Sequence, residues 1–140
     1  MGFTFKENHP IDTDTLIGLY NSVGWTVYAN NRSVMGKLFS GSLYHLSAWR
    51  GEELVGLLRA VGDGASILYI QDILVRPDVQ RQGLGSQLVK QTLEKFSHIR
   101  QIVLMTDREE RTLAFYRSLG FEDVESMGCR AFMKINQTKN

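Results

Sequence analysis

A single cysteine, Cys129, in 140 residues leaves this chain unable to close an internal disulfide and suits it to a reducing compartment. With no His or Asp near it in sequence, Cys129 reads as a small strand residue rather than a nucleophile. Charge of one sign is also missing. Sixteen Lys and Arg stand against fifteen Asp and Glu, a net charge of +1, and the basic residues are dispersed. That balance argues against nucleic acid as the main partner. No apolar run approaches the roughly 20 residues that a membrane helix needs. The start, Met-Gly-Phe-Thr-Phe-Lys6, carries no signal-peptide core, and Lys6 stands where a myristoylation pattern wants Ser or Thr. The expected location is the cytoplasm. His9, His45 and His98 have no metal-ligand spacing, so no metal is expected. Linkers, repeats and low-complexity segments are absent, which leaves one expected domain over residues 1–140.

What is present is a hydrophobic share of 43% with 22% charged residues, the make-up of an ordinary globular protein with a real core. Residues 3–7 read as a short strand. Asp12 is a good N-cap, with Ile11 and Leu16 placed as a hydrophobic staple, and Gly24 stops the helix that follows. A second helix is predicted over 32–39. Leu43–Trp49 and Leu54–Val61 read as strands joined by Arg50-Gly51-Glu52, and Ser66–Val75 as a third strand after the turn Gly62-Asp63-Gly64. Pro77 removes a donor and ends the pairing. From Gly83 to about Phe96, Leu84, Leu88, Val89, Thr92, Leu93 and Phe96 line one face of a helix. Gln101–Thr106 reads as a buried strand. Asp107 with Glu110 resembles a capping box opening a helix that ends at Gly120. Phe121–Ser126 and Arg130–Ile135 are predicted to close the chain as a hairpin, before a polar tail at 136–140.

The chemistry concentrates in Asp72-Ile-Leu-Val-Arg-Pro-Asp-Val-Gln80-Arg-Gln-Gly83-Leu-Gly85-Ser86. A strand runs into a basic, glycine-spaced turn that opens a helix. The helix N-terminus offers unpaired N–H groups and the positive end of the macrodipole, so the turn suits an anion. Glycines at 83 and 85 allow a bulky phosphate against the backbone, and Arg81 adds charge-assisted donors. A triphosphate P-loop wants Lys-Ser/Thr where Ser86-Gln87 stands, and a dinucleotide fingerprint wants a glycine where Leu88 stands. A plain helix-entry turn is the bland alternative. The second cluster is Thr112-Leu-Ala-Phe-Tyr116-Arg-Ser-Leu-Gly120-Phe121. By spacing alone, Tyr116 is equally a core aromatic beside Leu113 and Leu119.

Gln80-x-x-Gly83-x-Gly85 after a strand, followed one strand and one helix later by Phe115-Tyr116-x-x-x-Gly120-Phe121, resembles the GCN5-related N-acetyltransferase (GNAT) superfamily over the whole length. The resemblance implies an α/β (α+β) GNAT fold: a mixed, mainly antiparallel sheet of about seven strands flanked by about four helices. It implies acetyl-CoA as cosubstrate, its pyrophosphate held at Arg81, Gln82, Gly83, Leu84, Gly85 and Ser86. Its pantetheine arm would pair with the backbone of Ile73, Leu74 and Val75, and one N–H, that of Val75, would stabilise the oxyanion. Tyr116 would donate to the departing thiolate. Asp72 is the candidate proton acceptor, with a structural hydrogen-bonding role as the equal alternative, and Tyr28 and Tyr69 are candidate water-holders. Where many members carry an Asn seven residues before the tyrosine, this chain has Glu109; Asp107 or Arg111 replaces that contact, or it is absent.

Leu19-Tyr-Asn-Ser-Val-Gly-Trp25-Thr, Val61-Gly-Asp-Gly64, Ile70-Gln-Asp-Ile-Leu-Val75 and Thr106-Asp107 resemble segments of arylalkylamine (serotonin) N-acetyltransferases. That resemblance implies a small arylalkylamine acceptor, with Trp25 and Tyr28 stacking on its ring. The alternative is that Trp25 seals the core. Acetylation of a protein lysine or N-terminus, and a non-catalytic acyl-CoA-binding module, are the rival functions. Partners are expected to be a small-molecule amine, without nucleic acid or membrane; a homodimer is left open.

Overall fold

The computed structural model describes residues 2–136. They form two compact units, divided after Met105. The first carries nine elements in chain order. Strand β1 (Thr4–Glu7) is followed by helices α1 (Thr13–Ser22) and α2 (Arg32–Ser40) and strands β2 (Tyr44–Arg50), β3 (Glu53–Gly62) and β4 (Ile67–Val75). A short 3-10 turn, Pro77–Val79, leads to helix α3 (Leu84–Lys95) and strand β5 (Gln101–Leu104). The second unit holds helix α4 (Glu110–Ser118) and a 3-10 turn, Val124–Met127.

Among the described residues the sheet has five strands in the order β1-β2-β3-β4-β5, antiparallel except for the parallel β4–β5 pair. It is a mixed, mainly antiparallel α/β fold, as expected.

The helices begin and end where local chemistry dictates. Asp12 caps α1, its carboxylate accepting from the Thr15 N–H at 3.2 Å, and Gly24 follows the helix at φ +78°. Asn31 caps α2 through the Val34 N–H. Leu16, Leu19 and Tyr20 of α1 and Met35 of α2 join Leu57 and Leu74 in one buried cluster, with Ile11 packed against it. Helix α3 lies on the other face. Leu57 points toward α1, so its neighbour Gly56 points away, and a Cβ on Gly56 would stand 3.1 Å from Cδ2 of Leu84. The missing side chain there lets the start of α3 seat on the strands.

Two bulges shape the sheet. In β3 the register skips Val55, between the pairs Ala48–Gly56 and Trp49–Leu54. In β4 it skips Gln71, between Ala60–Ile70 and Arg59–Asp72. One extra residue turns all that follows it to the other face. Beyond Gln71, therefore, Asp72 and Leu74 face the α1–α2 layer.

Three expectations are corrected. The closing hairpin is not formed. Phe121–Ser126 gives way to the 3-10 turn, whose N-cap Asp123 accepts from the Glu125 N–H at 2.9 Å, and Gly128 ends it at φ +81°. Such local side-chain-to-backbone bonds compete directly with a ladder. Residues 130–135 have no strand partner and Phe132 is 94% exposed, so the sheet is two strands short of seven among the described residues. Cys129 consequently lies outside any strand and is exposed. The capping box at Asp107 is also absent. Helix α4 starts at Glu110 with Glu109 as N-cap, and Asp107 accepts from the Glu109 N–H at 2.9 Å, a turn ahead of the helix rather than its cap. Strand β5 ends at Leu104, two residues early. Of the predicted polar tail, residues 137–140 lie outside the described residues.

Candidate functional site

The site begins where β4 outruns its neighbour. Strand β5 pairs only with Ile67–Ile70, so on that side Gln71–Val75 have no strand partner among the described residues. The direction of the free groups follows from one bond. The Arg76 N–H donates to the Val55 carbonyl at 2.9 Å, toward β3. Successive residues of a strand alternate, so the N–H and C=O of Val75 and Ile73 point to the open edge. Leu74, between them, pairs inward with Leu57 and is buried. The Val75 carbonyl accepts from the Gln80 side-chain amide at 3.1 Å. Its N–H, and both backbone groups of Ile73, stay available to an extended ligand.

The chain then turns into α3. Val79 is fully buried and anchors the turn. Arg81 stands at φ +67° and Gly83, the N-cap, at φ +78°. Gly83 contributes no side-chain cap, and a Cβ built on it would meet nothing within 4 Å. The first helical bond into this turn is from the Gln87 N–H to the Gly83 carbonyl, at 3.0 Å. The N–H groups of Gln82, Gly83, Leu84, Gly85 and Ser86 have no acceptor among the described residues. The turn is an open cradle of donors at the positive end of a 12-residue helix. Its donors and the charge of Arg81 suit an anion such as a pyrophosphate. Arg81 and Gln82 are exposed beside it, while the Leu84 side chain is buried and contributes only its backbone.

Asp72 is 8% exposed, and its Oδ2 accepts from both the Arg59 Nε and the Tyr20 hydroxyl, each at 2.8 Å. Arg59 sits directly opposite on β3, is 7% exposed, donates to Ser42 Oγ and lies 5.8 Å over the Phe39 ring. Removing one partner of such a buried pair costs on the order of 3–5 kcal/mol, because the other charge is left uncompensated. Burial, and after it the Asp72 carboxylate, holds the Tyr20 hydroxyl well above the usual phenol range, so it stays a donor. Asp72 thus has the bonding of a structural anchor. Its Oδ1 carries no hydrogen bond among the described residues.

Trp25 and Tyr28 lie on the loop between α1 and α2 and are 46% and 45% exposed. Trp25 therefore does not seal the core. Its N–H donates to the Tyr20 carbonyl at 3.0 Å, and the two rings are 6.5 Å apart. Tyr69 is half-buried, paired with Val61 and Val103. Spacing gave no sign of Tyr20 and Arg59, which the fold joins to Asp72. Their one trace in the sequence is a charged Arg in an otherwise apolar strand.

In the second unit, Tyr116 lies in the last turn of α4. Gly120 takes φ +96°, and the returning Phe121 donates its N–H to the Tyr116 carbonyl at 3.1 Å. The Phe121 ring stands edge-on to Tyr116 at 5.8 Å, and Phe115 does so at 4.9 Å. Partial burial, and then the Asp107 carboxylate, raises the Tyr116 hydroxyl above its ordinary range. Glu109, Asp107 and Arg111 are exposed.

With this geometry in view, the comparisons with known proteins are specific. The pattern of the acetyltransferase (GNAT) domain family matches residues 20–136. Histone acetyltransferase TAP1 of Glycine max is 31% identical over 129 residues, which cover 84% of this chain and 55% of the relative. The chain spans little more than half the length of that relative. A GNAT family acetyltransferase of Streptococcus pneumoniae TIGR4 superimposes with a TM-score of 0.85 at 37% identity, over 98% of this chain and 100% of the other. An aminoglycoside acetyltransferase from an uncultured soil metagenomic sample, in complex with sisomicin, superimposes with a TM-score of 0.71 over 98% and 97% of the two chains. At 19% identity it shows a shared fold alone.

Proposed function

Because this chain belongs to the GNAT acetyltransferase domain family, we propose that it transfers the acetyl group of acetyl-CoA to a primary amine, by direct attack in a ternary complex. The observation that carries the reading is the row of acceptor-free N–H groups at residues 82–86, next to the open edge of β4. Those donors, with Arg81, hold the pyrophosphate. Ile73 and Val75 pair with the pantetheine arm as an added strand would. The Val75 N–H meets the thioester carbonyl oxygen and stabilises the negative charge that develops there. As the amine nitrogen bonds to the carbonyl carbon, the carbon–sulfur bond breaks and the thiolate leaves. Tyr116 gives that sulfur its proton. The proton released by the amine passes to Asp72 through Oδ1, directly or by way of water.

The finer proposal is an arylalkylamine acceptor. Its support is the exposed pair Trp25 and Tyr28, whose ring faces suit an aromatic amine or its ammonium. Binding energy at the ring then becomes orientation of the nitrogen. A second reading, a protein lysine, is favoured by the likeness to a histone acetyltransferase. An amine panel with acetyl-CoA, read by thiol release, tests both. Tryptamine, serotonin and phenethylamine are expected to be turned over, and Trp25→Ala is expected to raise KM for them more than for aliphatic amines. Efficient turnover of lysine peptides with none of the arylalkylamines sinks the acceptor assignment. Silence across the whole panel, with no binding of acetyl-CoA by calorimetry, sinks the transferase reading.

A further inference from the structure

We propose that Tyr20 is a positioning residue that couples the Trp25–Tyr28 loop to the bulged strand β4, holding the loop with its carbonyl and the strand with its hydroxyl. The proposal rests on the transferase reading in taking that loop and that strand as the acceptor and thioester walls of one site.

Both halves of the coupling are visible. On the backbone side, the Tyr20 carbonyl accepts from the Val23 N–H at 3.3 Å and the Trp25 N–H at 3.0 Å. Those bonds set the direction in which the chain leaves α1, and the Tyr20 ring lies beside the Trp25 ring. On the side-chain side, the hydroxyl donates to Asp72, the first residue after the extra Gln71. Asp72 and Arg59 face each other across β3 and β4, so their ion pair pins the register beyond the bulge. A slip by one residue would send Asp72 to the opposite face and strand Arg59 in the core. That register decides that Ile73 and Val75, rather than Leu74, offer their N–H groups to the open edge. A buried phenol aimed at this acid therefore steadies the strand that must meet the thioester. The same residue steadies the loop that must meet the acceptor.

Tyr20→Phe tests this, since it keeps the ring and its packing on Phe39 at 6.3 Å and deletes only the hydroxyl. The control is Tyr44→Phe, which likewise deletes a buried ring's hydroxyl bonded to a carboxylate, that of Glu7 at 2.9 Å, but touches neither wall. In Tyr20→Phe, backbone amide resonances and hydrogen exchange should change at Gln71–Ile73 and also at Trp25–Tyr28. Turnover should fall about tenfold or more, with KM for acetyl-CoA held within about twofold. Tyr44→Phe should leave both amide groups and turnover near wild type. Amide changes confined to the strand or to the loop, or equal losses in the two variants, overturn the coupling. The amide readout needs no activity, so a wild-type protein that neither releases thiol nor binds acetyl-CoA would defeat the transferase reading while this test still stands.

Discussion

The side-chain amide of Gln80 donates to the main-chain carbonyl of Val75 at 3.1 Å, tying the glycine turn back to the end of the strand it leaves. The bond spans five residues and fixes the distance between two parts of the proposed cofactor site, the Val75 N–H and the donors at 82–86. Gln80→Ala should free the turn without touching the core, since Gln80 is exposed. We expect acetyl-CoA affinity to weaken by about tenfold, the worth of roughly one hydrogen bond, with the melting temperature almost unchanged. Calorimetry on the variant checks it, and an unaltered affinity would show that the turn is rigid without this bond.

Arg81 is held at φ +67°, in the left-handed region. That conformation costs a non-glycine residue about 1–2 kcal/mol, of which glycine's greater unfolded-state freedom would take back about 0.5–1 kcal/mol. Arg81→Gly is expected to leave stability unchanged or slightly raised while weakening acetyl-CoA binding. Gly85→Val is the sharper probe of the cradle, because Gly85 lies in the first turn of α3 without the positive φ that strains any substitution at Gly83, φ +78°. It should abolish cofactor binding in a protein that still unfolds cooperatively. Denaturation and calorimetry on both variants separate the two effects.

Tyr116 has its hydroxyl raised above the ordinary phenol range by burial and by Asp107. A raised group stays protonated through that range, so the proposed acid is intact at neutral pH and is lost only above about pH 10. Tyr116→Phe should lower turnover by roughly 10²–10⁴-fold with little change in cofactor affinity. The wild-type rate should show no alkaline fall attributable to this group below the tyrosine range. Near-normal turnover in the variant would reduce Tyr116 to packing.

Asp63 receives the Ala65, Ser66 and Ile67 N–H groups at 2.8–3.1 Å and the Ser66 hydroxyl, and these bonds, led by that of Ser66, depress its carboxyl well below the usual range. The folded value lies below the unfolded one, so the stabilisation is complete above the ordinary carboxylate range and is lost as pH falls toward the folded value. Asp63→Ala should therefore lower the melting temperature at neutral pH by more than at pH 2–3. Equal shifts at both pH values would contradict a charge-dependent cap.

The elements nearest the proposed chemistry were legible because their causes are local. Gly83 and the apolar face from Leu84 to Phe96 announce α3, and Pro77 announces the end of β4. The role expected of the Val75 N–H comes from the family resemblance alone. The closing hairpin was misread for a matching reason. The apolar residues Ala131, Phe132, Met133 and Ile135 suggest a strand, but a strand exists only when an edge accepts it, and the Asp123–Gly128 turn chemistry diverted the chain first. Asp107 likewise had the spacing of a capping box yet bonds one turn too early, because α4 begins at Glu110.

By itself, then, the sequence determined the glycine turn, the order of the helices and strands from β1 to α4 and the two motifs that mark the family, since each depends on neighbours within a few residues. Only the tertiary structure decided what Asp72 does. Its partners are 13 and 52 residues away, on β3 and α1, and the bulge at Gln71 chooses the face on which they meet. No local periodicity carries that information, because burial of a charge is settled by which distant groups arrive to compensate it.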